Sequence, residues 1–293
     1  MQITAELVRE LRDRTGAGIM DCKKALQDTG GDIDAAIDAM RKSGVAKAAK
    51  KAGRIAAEGK IVIRQDPDTR EAVILEVNSE TDFVARDENF TTFADKVAAC
   101  ILDRRPDNLE SLMALQIDGL TVEEERQQLV ARIGENINVR RFERLCPEGE
   151  LGLYLHGGRI GVLVDIRNGN ESLARDVAMH IAGNPVPPLC IREAEVPRDL
   201  IEKEREIYAA QAAESGKPPE IADRIVAGKI SRFVSDVALL SQPFIKDTEQ
   251  TVGNLVKALG AEVRRFIRYE VGEGLEKRSD NFAEQVMAQA KGA

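Results

Sequence analysis

EGKIVIRQDPDTREAVILEVNSETDFVARDENFTTFADKVAACI, from Glu58 to Ile101, has an imperfect copy downstream, EGELGLYLHGGRIGVLVDIRNGNESLARDVAMHIA, from Glu148 to Ala182. In the first copy, Lys60 to Arg64 and Ala72 to Val77 read as two strands around an Asp-Pro turn. A helix follows from about Asn89 through Cys100, with Phe90, Phe93 and Val97 on one face. In the second copy, Leu151 to Leu155 and Arg159 to Ile166 flank a glycine-bearing turn, and the next helix carries Leu173, Val177 and Ile181. Glu-Gly precedes both hairpins. One thin sheet with one helix cannot bury its apolar face alone, so the two copies are expected to pair. The chain therefore reads as α+β, with a two-subdomain core of thin antiparallel sheets.

Outward from this core the pattern turns helical. Thr4 is placed to cap a helix running to about Arg14, with Leu7 and Leu11 one turn apart, and Gly16 and Gly18 break it. A second helix holds Met20, Ala25 and Leu26 and ends at Thr29-Gly30-Gly31. Asp32 caps a third, carrying Ile33, Ala36, Ile37 and Met40. The Ala- and Lys-rich run from Ala46 to Ala57 reads as an exposed helix or linker. Between the copies, Glu123 to Gly134 reads as a helix and Ile137 to Leu145 as a strand.

After the second copy, Pro185, Pro187 and Pro188 interrupt the core. Two amphipathic stretches, about Arg198 to Ser215 and one carrying Ile221, Ile225, Ile230, Phe233 and Val237, flank Gly216-Lys217-Pro218-Pro219 as an antiparallel helical hairpin. Thr251 is placed to cap a short helix with Val252, Leu255, Val256 and Leu259. A strand from Val263 to Val271 precedes a C-terminal helix with Phe282, Val286 and Met287. The expected division is 1–52, 53–140, 141–184, 185–240, 241–272 and 273–293, in which 141–184 and 241–272 form one subdomain interrupted by the hairpin.

Composition narrows the function. The 293 residues carry 42 Lys and Arg against 50 Asp and Glu, a formal net charge of -8. That balance argues against a nucleic-acid grip by the whole protein. The local run Lys42, Lys47, Lys50 and Lys51 reads either as a solvated face or as a docking surface for an acidic partner. The four cysteines, Cys22, Cys100, Cys146 and Cys190, lack close CxxC spacing, which speaks for reduced thiols and against a zinc site or a disulfide scaffold. MQITAELVREL has no apolar signal core, and no run approaches about 18 apolar residues, so a cytoplasmic protein without a membrane span is expected.

The sequence signposts no enzyme. The two histidines, His156 and His180, lie in different segments; His180 reads as structural, and His156, beside Gly157 and Gly158, as either an exposed turn residue or a partner contact. Gly16 and Gly18 form no dinucleotide fingerprint, and there is no GxxxxGK[ST] loop. No cofactor and no metal are expected. The unusual feature is Thr81-Asp82-Phe83-Val84, between a strand and a helix, where loop residues project from a scaffold. It reads either as an ordinary cap with Phe83 tucked into the core, or as an aromatic wedge with an acidic companion.

TGAGIMDCKKAL (Thr15 to Leu26) and EVNSETDFVARDENF (Glu76 to Phe90) resemble the two signatures of the elongation factor Ts family. IGENINVRR, HGGRIGVLV, SGKPPEIADRIV, QPFIKD and IRYEVGEGLEK extend the resemblance over nearly the whole chain. The resemblance implies an N-terminal ubiquitin-associated-like helical module, a core of two related subdomains, an inserted antiparallel coiled-coil hairpin and a C-terminal helical module. It implies a guanine-nucleotide exchange factor that binds elongation factor Tu, both GDP-bound and nucleotide-free, and performs no covalent chemistry. Phe83 would wedge into the GTPase domain near its magnesium and nucleotide, Asp82 would reposition partner groups, and Thr81 and Val84 would complete the loop. Arg12 and Lys23 would belong to the gripping N-terminal surface, and His156, Gly157, Arg159 and Ile160 to a second contact. A 1:1 complex is the simplest expectation, with a 2:2 assembly open. The rival reading is a non-catalytic adaptor or holdase for elongation factor Tu. Ser79-Glu80 departs from the family pattern by an added charge, which puts the local geometry of the loop in question.

Overall fold

The computed structural model describes residues 3–214 and 218–276. The Gly216-Lys217 turn and the expected C-terminal helix with Phe282, Val286 and Met287 lie outside the described residues. The chain divides into two compact units, one drawn from Met1–Arg64, Leu75–Phe142 and Glu270–Ala293, the other from Gln65–Ile74 and Glu143–Tyr269.

The first unit opens with three helices, α1 (Ala5–Thr15), α2 (Ile19–Asp28) and α3 (Ile33–Lys51). The Thr4 hydroxyl caps α1 and the Asp32 carboxylate caps α3, each accepting a backbone N–H three residues on. Leu11, Cys22, Ala25, Leu26 and Ala36 are buried between them. The run from Ala46, expected as an exposed helix or linker, belongs to α3 as far as Lys51. Gly44 and Ala48 are buried there, Gly44 comes against Ala131, and Lys51 Nζ donates to the Gly134 carbonyl. Small residues let two helices approach closely, and a hydrophobicity pattern does not register such a face.

β1 (Glu58–Gln65) and β2 (Ala72–Ser79) follow, then the one-turn α4 (Asp82–Ala85) and α5 (Glu88–Arg104). Next come α6 (Leu109–Ala114), the two-residue strands β3 (Gln116–Ile117) and β4 (Leu120–Thr121), α7 (Val122–Ile133) and β5 (Asn138–Leu145). The sheet order is β1-β2-β5. β2 is buried along its whole length, and α5 contributes Phe90, Phe93, Ala94, Val97, Ala98 and Ile101 to the core.

The second unit repeats this plan. β6 (Glu150–His156) and β7 (Ile160–Arg167) pair antiparallel, and α8 (Glu171–Gly183) follows. Then α9 (Arg198–Glu214) and α10 (Pro219–Val237) pack together around Ala212, Val226 and Ile230, with Lys229 Nζ 5.1 Å from the Tyr208 ring centre. The short pair β8 (Pro243–Phe244) and β9 (Asp247–Thr251) leads into α11 (Val252–Ala258) and β10 (Glu262–Glu270). The sheet order is β10-β7-β6, the counterpart of β5-β2-β1. Its core joins Val162, Val164 and Ile166 to Leu173, Val177 and Ile181 of α8 and to Phe244, Val252, Val256 and Val263.

The duplication extends beyond the two hairpins. In each unit a miniature strand pair ends on a threonine, Thr121 or Thr251, whose hydroxyl caps the helix leading to the third strand. The repeated Glu-Gly has a steric basis. A Cβ on Gly59 would collide with the Val77 carbonyl and the Asn78 backbone, and one on Gly149 with the Ile166 carbonyl and the Arg167 backbone. Both glycines let the first strand start against the end of the second.

His180, on α8, is fully buried. Gln242 donates its amide to the carbonyls of Val186 and Asp236, so its Oε1 faces His180 Nε2 at 3.0 Å. The Ile245 N–H donates to Nδ1 at 3.2 Å, which fixes a neutral ring with its proton on Nε2. Burial holds this imidazole below its ordinary pKa, with the Gln242 bond opposing more weakly. Its role is structural, as its apolar setting in the sequence indicates.

Candidate partner-binding site

β2 delivers the chain to Thr81-Asp82-Phe83-Val84 from a rigid base. Glu76, within β2, is completely buried. It accepts hydrogen bonds from Arg140 (2.9 Å), Arg141 (2.6 Å), Asn78 (3.0 Å) and the Gly272 N–H (2.9 Å). Burial alone would raise its pKa; the Gly272, Asn78 and arginine hydrogen bonds together outweigh it and hold the carboxyl below its ordinary range.

The loop itself is a single helical turn. The Thr81 hydroxyl accepts from the Val84 N–H at 3.4 Å, and Asp87 caps α5 directly afterwards. Neighbouring side chains face opposite ways: Val84 is 9% exposed and Phe83 80%. Val84 therefore anchors the turn while the Phe83 ring stands in solvent, so the core-packed alternative for Phe83 does not hold. Asp82 pairs with Arg86 at 2.9 Å on the surface, a weak contact that a partner could readily replace.

The structure brings Thr81, Asp82, Phe83 and Val84 together on this turn. Arg12 and Lys23 lie exposed on α1 and α2 of the same unit. Arg132 of α7 ties those helices toward the loop, donating to the Thr15 carbonyl (2.6 Å) and to Asn89 Oδ1 at the start of α5 (2.8 Å). Gly16 is required beside it, because a Cβ there would overlap the Arg132 guanidinium and φ is +61°.

His156, Gly157, Arg159 and Ile160 belong to the second unit, at the β6–β7 turn. Gly157 and Gly158 both have positive φ and the Arg159 N–H donates to the His156 carbonyl at 2.9 Å, a tight turn that favours glycine at both positions. His156 is exposed and stacks on Tyr154, with ring centres 6.2 Å apart.

Residue-type reasoning missed the groups behind the loop. Glu135 accepts from the backbone N–H groups of Glu80 (3.1 Å) and Thr81 (3.0 Å) and from the Thr81 hydroxyl (2.7 Å). Glu80 in turn accepts from the Asn136 N–H at 2.7 Å and pairs with Arg54 at 3.5 Å. The extra charge at Glu80 is thus nearly buried and bonded, and it fixes the local geometry. The available signal was the IGENINVRR run, which carries Glu135 and Asn136 but is separated from the loop by more than fifty residues.

Comparison with known proteins gives the family of the chain. A family model described as Elongation factor TS matches residues 80–273. Elongation factor Ts of Thioalkalivibrio sulfidiphilus (strain HL-EbGR7) is 57% identical over the whole of both chains. That of Alkalilimnicola ehrlichii (strain ATCC BAA-1101 / DSM 17681 / MLHE-1) is 53% identical, again over the whole of both. That of Legionella pneumophila (strain Paris) is 56% identical over 99% of each.

Proposed function

The chain belongs to the elongation factor Ts family, whose members exchange guanine nucleotide on elongation factor Tu without covalent chemistry, and we propose that it does so by inserting Asp82-Phe83 near the partner's magnesium and nucleotide. One observation carries this reading: a large apolar ring, 80% exposed, stands on a turn fixed from behind by Val84 and Glu135. Magnesium and the phosphate loop of a GTPase hold GDP jointly, so displacing either support opens an escape route. Linkage then requires that bound nucleotide weaken the factor's grip, so incoming GTP releases the factor for another cycle.

The same reading gives Arg12 and Lys23 to the surface that grips the GTPase domain, within a ubiquitin-associated-like module spanning 1–52. It gives His156, Gly157, Arg159 and Ile160 to a contact with the partner's third domain, and makes α9 and α10 a coiled-coil hairpin inserted in the second subdomain. A 1:1 complex in the bacterial cytoplasm is the working assignment. The test is release of fluorescent GDP from elongation factor Tu. Acceleration by substoichiometric protein supports the reading. Binding without acceleration replaces it with the adaptor or holdase, and neither binding nor acceleration on a cognate partner removes it.

A further inference from the structure

Phe83 and Val84 are consecutive, yet one points to solvent and the other inward, so whatever sets the phase of this turn decides which side chain is presented. A four-residue helix cannot set its own phase, because so few hydrogen bonds do not offset the cost of nucleating it. Resting on the exchange reading above, we infer that Glu135 is a positioning residue for the wedge: its carboxylate fixes the turn that aims Phe83 outward.

The contact uses both oxygens of the carboxyl group. Two backbone N–H groups, of Glu80 and Thr81, converge on Oε2 at 3.1 and 3.0 Å, while the Thr81 hydroxyl donates to Oε1 at 2.7 Å. Because the hydroxyl proton goes to Glu135, the Thr81 oxygen is left with a lone pair for the Val84 N–H, so Glu135 orients the cap of α4. The clasp is reciprocal. Glu80 Oε1 accepts from the Asn136 N–H at 2.7 Å, so neighbouring residues of two remote segments exchange carboxylate-to-backbone bonds, as a capping box does within one helix.

The platform under Glu135 is held separately. Asn136 Nδ2 donates to the carbonyls of Ala52 and Arg54, and Gly134 closes α7. Removing the Glu135 side chain therefore frees the turn rather than the platform. A turn ordered in advance does not have to be ordered during exchange, which is where the clasp acts on rate.

The experiment measures GDP release from elongation factor Tu across a titration of the full-length chain, with thermal melting in parallel. Glu135→Ala is expected to lower the maximal release rate about tenfold, with little change in the half-saturating concentration, as expected when a reacting group is misplaced by a fraction of an ångström. Glu135→Gln should fall between, since its amide oxygen can take the two N–H groups but its NH₂ cannot take the hydroxyl proton. Combined with Phe83→Ala, Glu135→Ala should add nothing, because no ring remains to aim. Wild-type release by Glu135→Ala, or losses that multiply in the double variant, would overturn the inference. Wild-type release by Phe83→Ala alone would leave exchange standing but sink the wedge, and this inference with it. Should Glu135→Ala fail to fold, Thr81→Val removes the hydroxyl arm and enters the same cycle with the same two outcomes.

Discussion

Phe83→Ala should separate activity from stability. The ring is 80% exposed, so the folded chain loses little when it is removed. Such surface changes stay within about 0.5 kcal/mol, which in a unit of this size is a melting shift of no more than about 2 °C. The cost appears at the partner. A phenylalanine offers about 200 Å² of surface; four-fifths of that, about 160 Å², is left to bury. At about 25 cal/mol per Å² the ring can contribute up to about 4 kcal/mol. Part of that is spent on immobilising the side chain, and buried aromatic anchors typically return about 2–3 kcal/mol on truncation to Ala. Applied to the barrier for nucleotide release, that is a loss of about 30- to 150-fold in rate. The assay is stopped-flow release of fluorescent GDP at saturating factor, beside calorimetry of both proteins. A variant that melts as the wild type and exchanges as fast would refute the reasoning. A fall of many degrees would show instead that the ring supports the fold.

Glu76→Ala leaves Arg140 and Arg141 facing a buried void and strips the Gly272 N–H of its acceptor; because both arginines keep some contact with water, the cost should sit near about 3 kcal/mol, at the lower end for a broken buried pair, read from denaturant midpoints. Stability should also fall with acid in two windows. His180, held below its ordinary pKa, withdraws its contribution as pH drops below about 6.5. Glu76, held below the usual carboxylate range, withdraws its own only below about pH 4.3. Urea midpoints across pH check both, and a His180→Gln variant that keeps the upper slope would sink the first. Gly149→Ala should destabilise by about 1–3 kcal/mol, since its Cβ meets strand backbone. Gly228→Ala, exposed in α10 with open space around it, should stabilise by about 0.5–1 kcal/mol. Thermal melts of the pair give opposite signs if the steric account is right.

Local signals in the sequence were read reliably because their causes are local. Thr4, Asp32 and Thr251 cap helices where an oxygen within three residues of a free N–H is sufficient. The two hairpins and α5 and α8 follow their apolar periods. Residues 102–122 gave no reading, because α6 is six residues long and β3 and β4 two each, too short for any period to register. The identity of β3 and β4 emerges only from the match to β8 and β9. The run past Ala46 was read as an exposed helix or linker rather than as a packed part of α3 for another reason: its buried face is glycine and alanine. At the candidate site, the Thr-Asp-Phe-Val turn was visible as an oddity of composition. Glu135, Asn136 and Arg132 were not, since charged residues on helices and loops ordinarily face water, and only the folded chain shows them reaching backbone groups far away in sequence.

The two copies join their second strand to their helix differently. Residues 80–87 make the connection in the first, with α4 inside it, while residues 168–170 suffice in the second. The longer junction is an addition to an architecture that closes without it. The molecule thus carries its own unadorned reference, a half in which strand, cap and helix meet by the shortest path. For an engineer, that marks a place where a segment can be exchanged as a cassette, leaving the sheet and helix on either side to fold as they do in the plain copy.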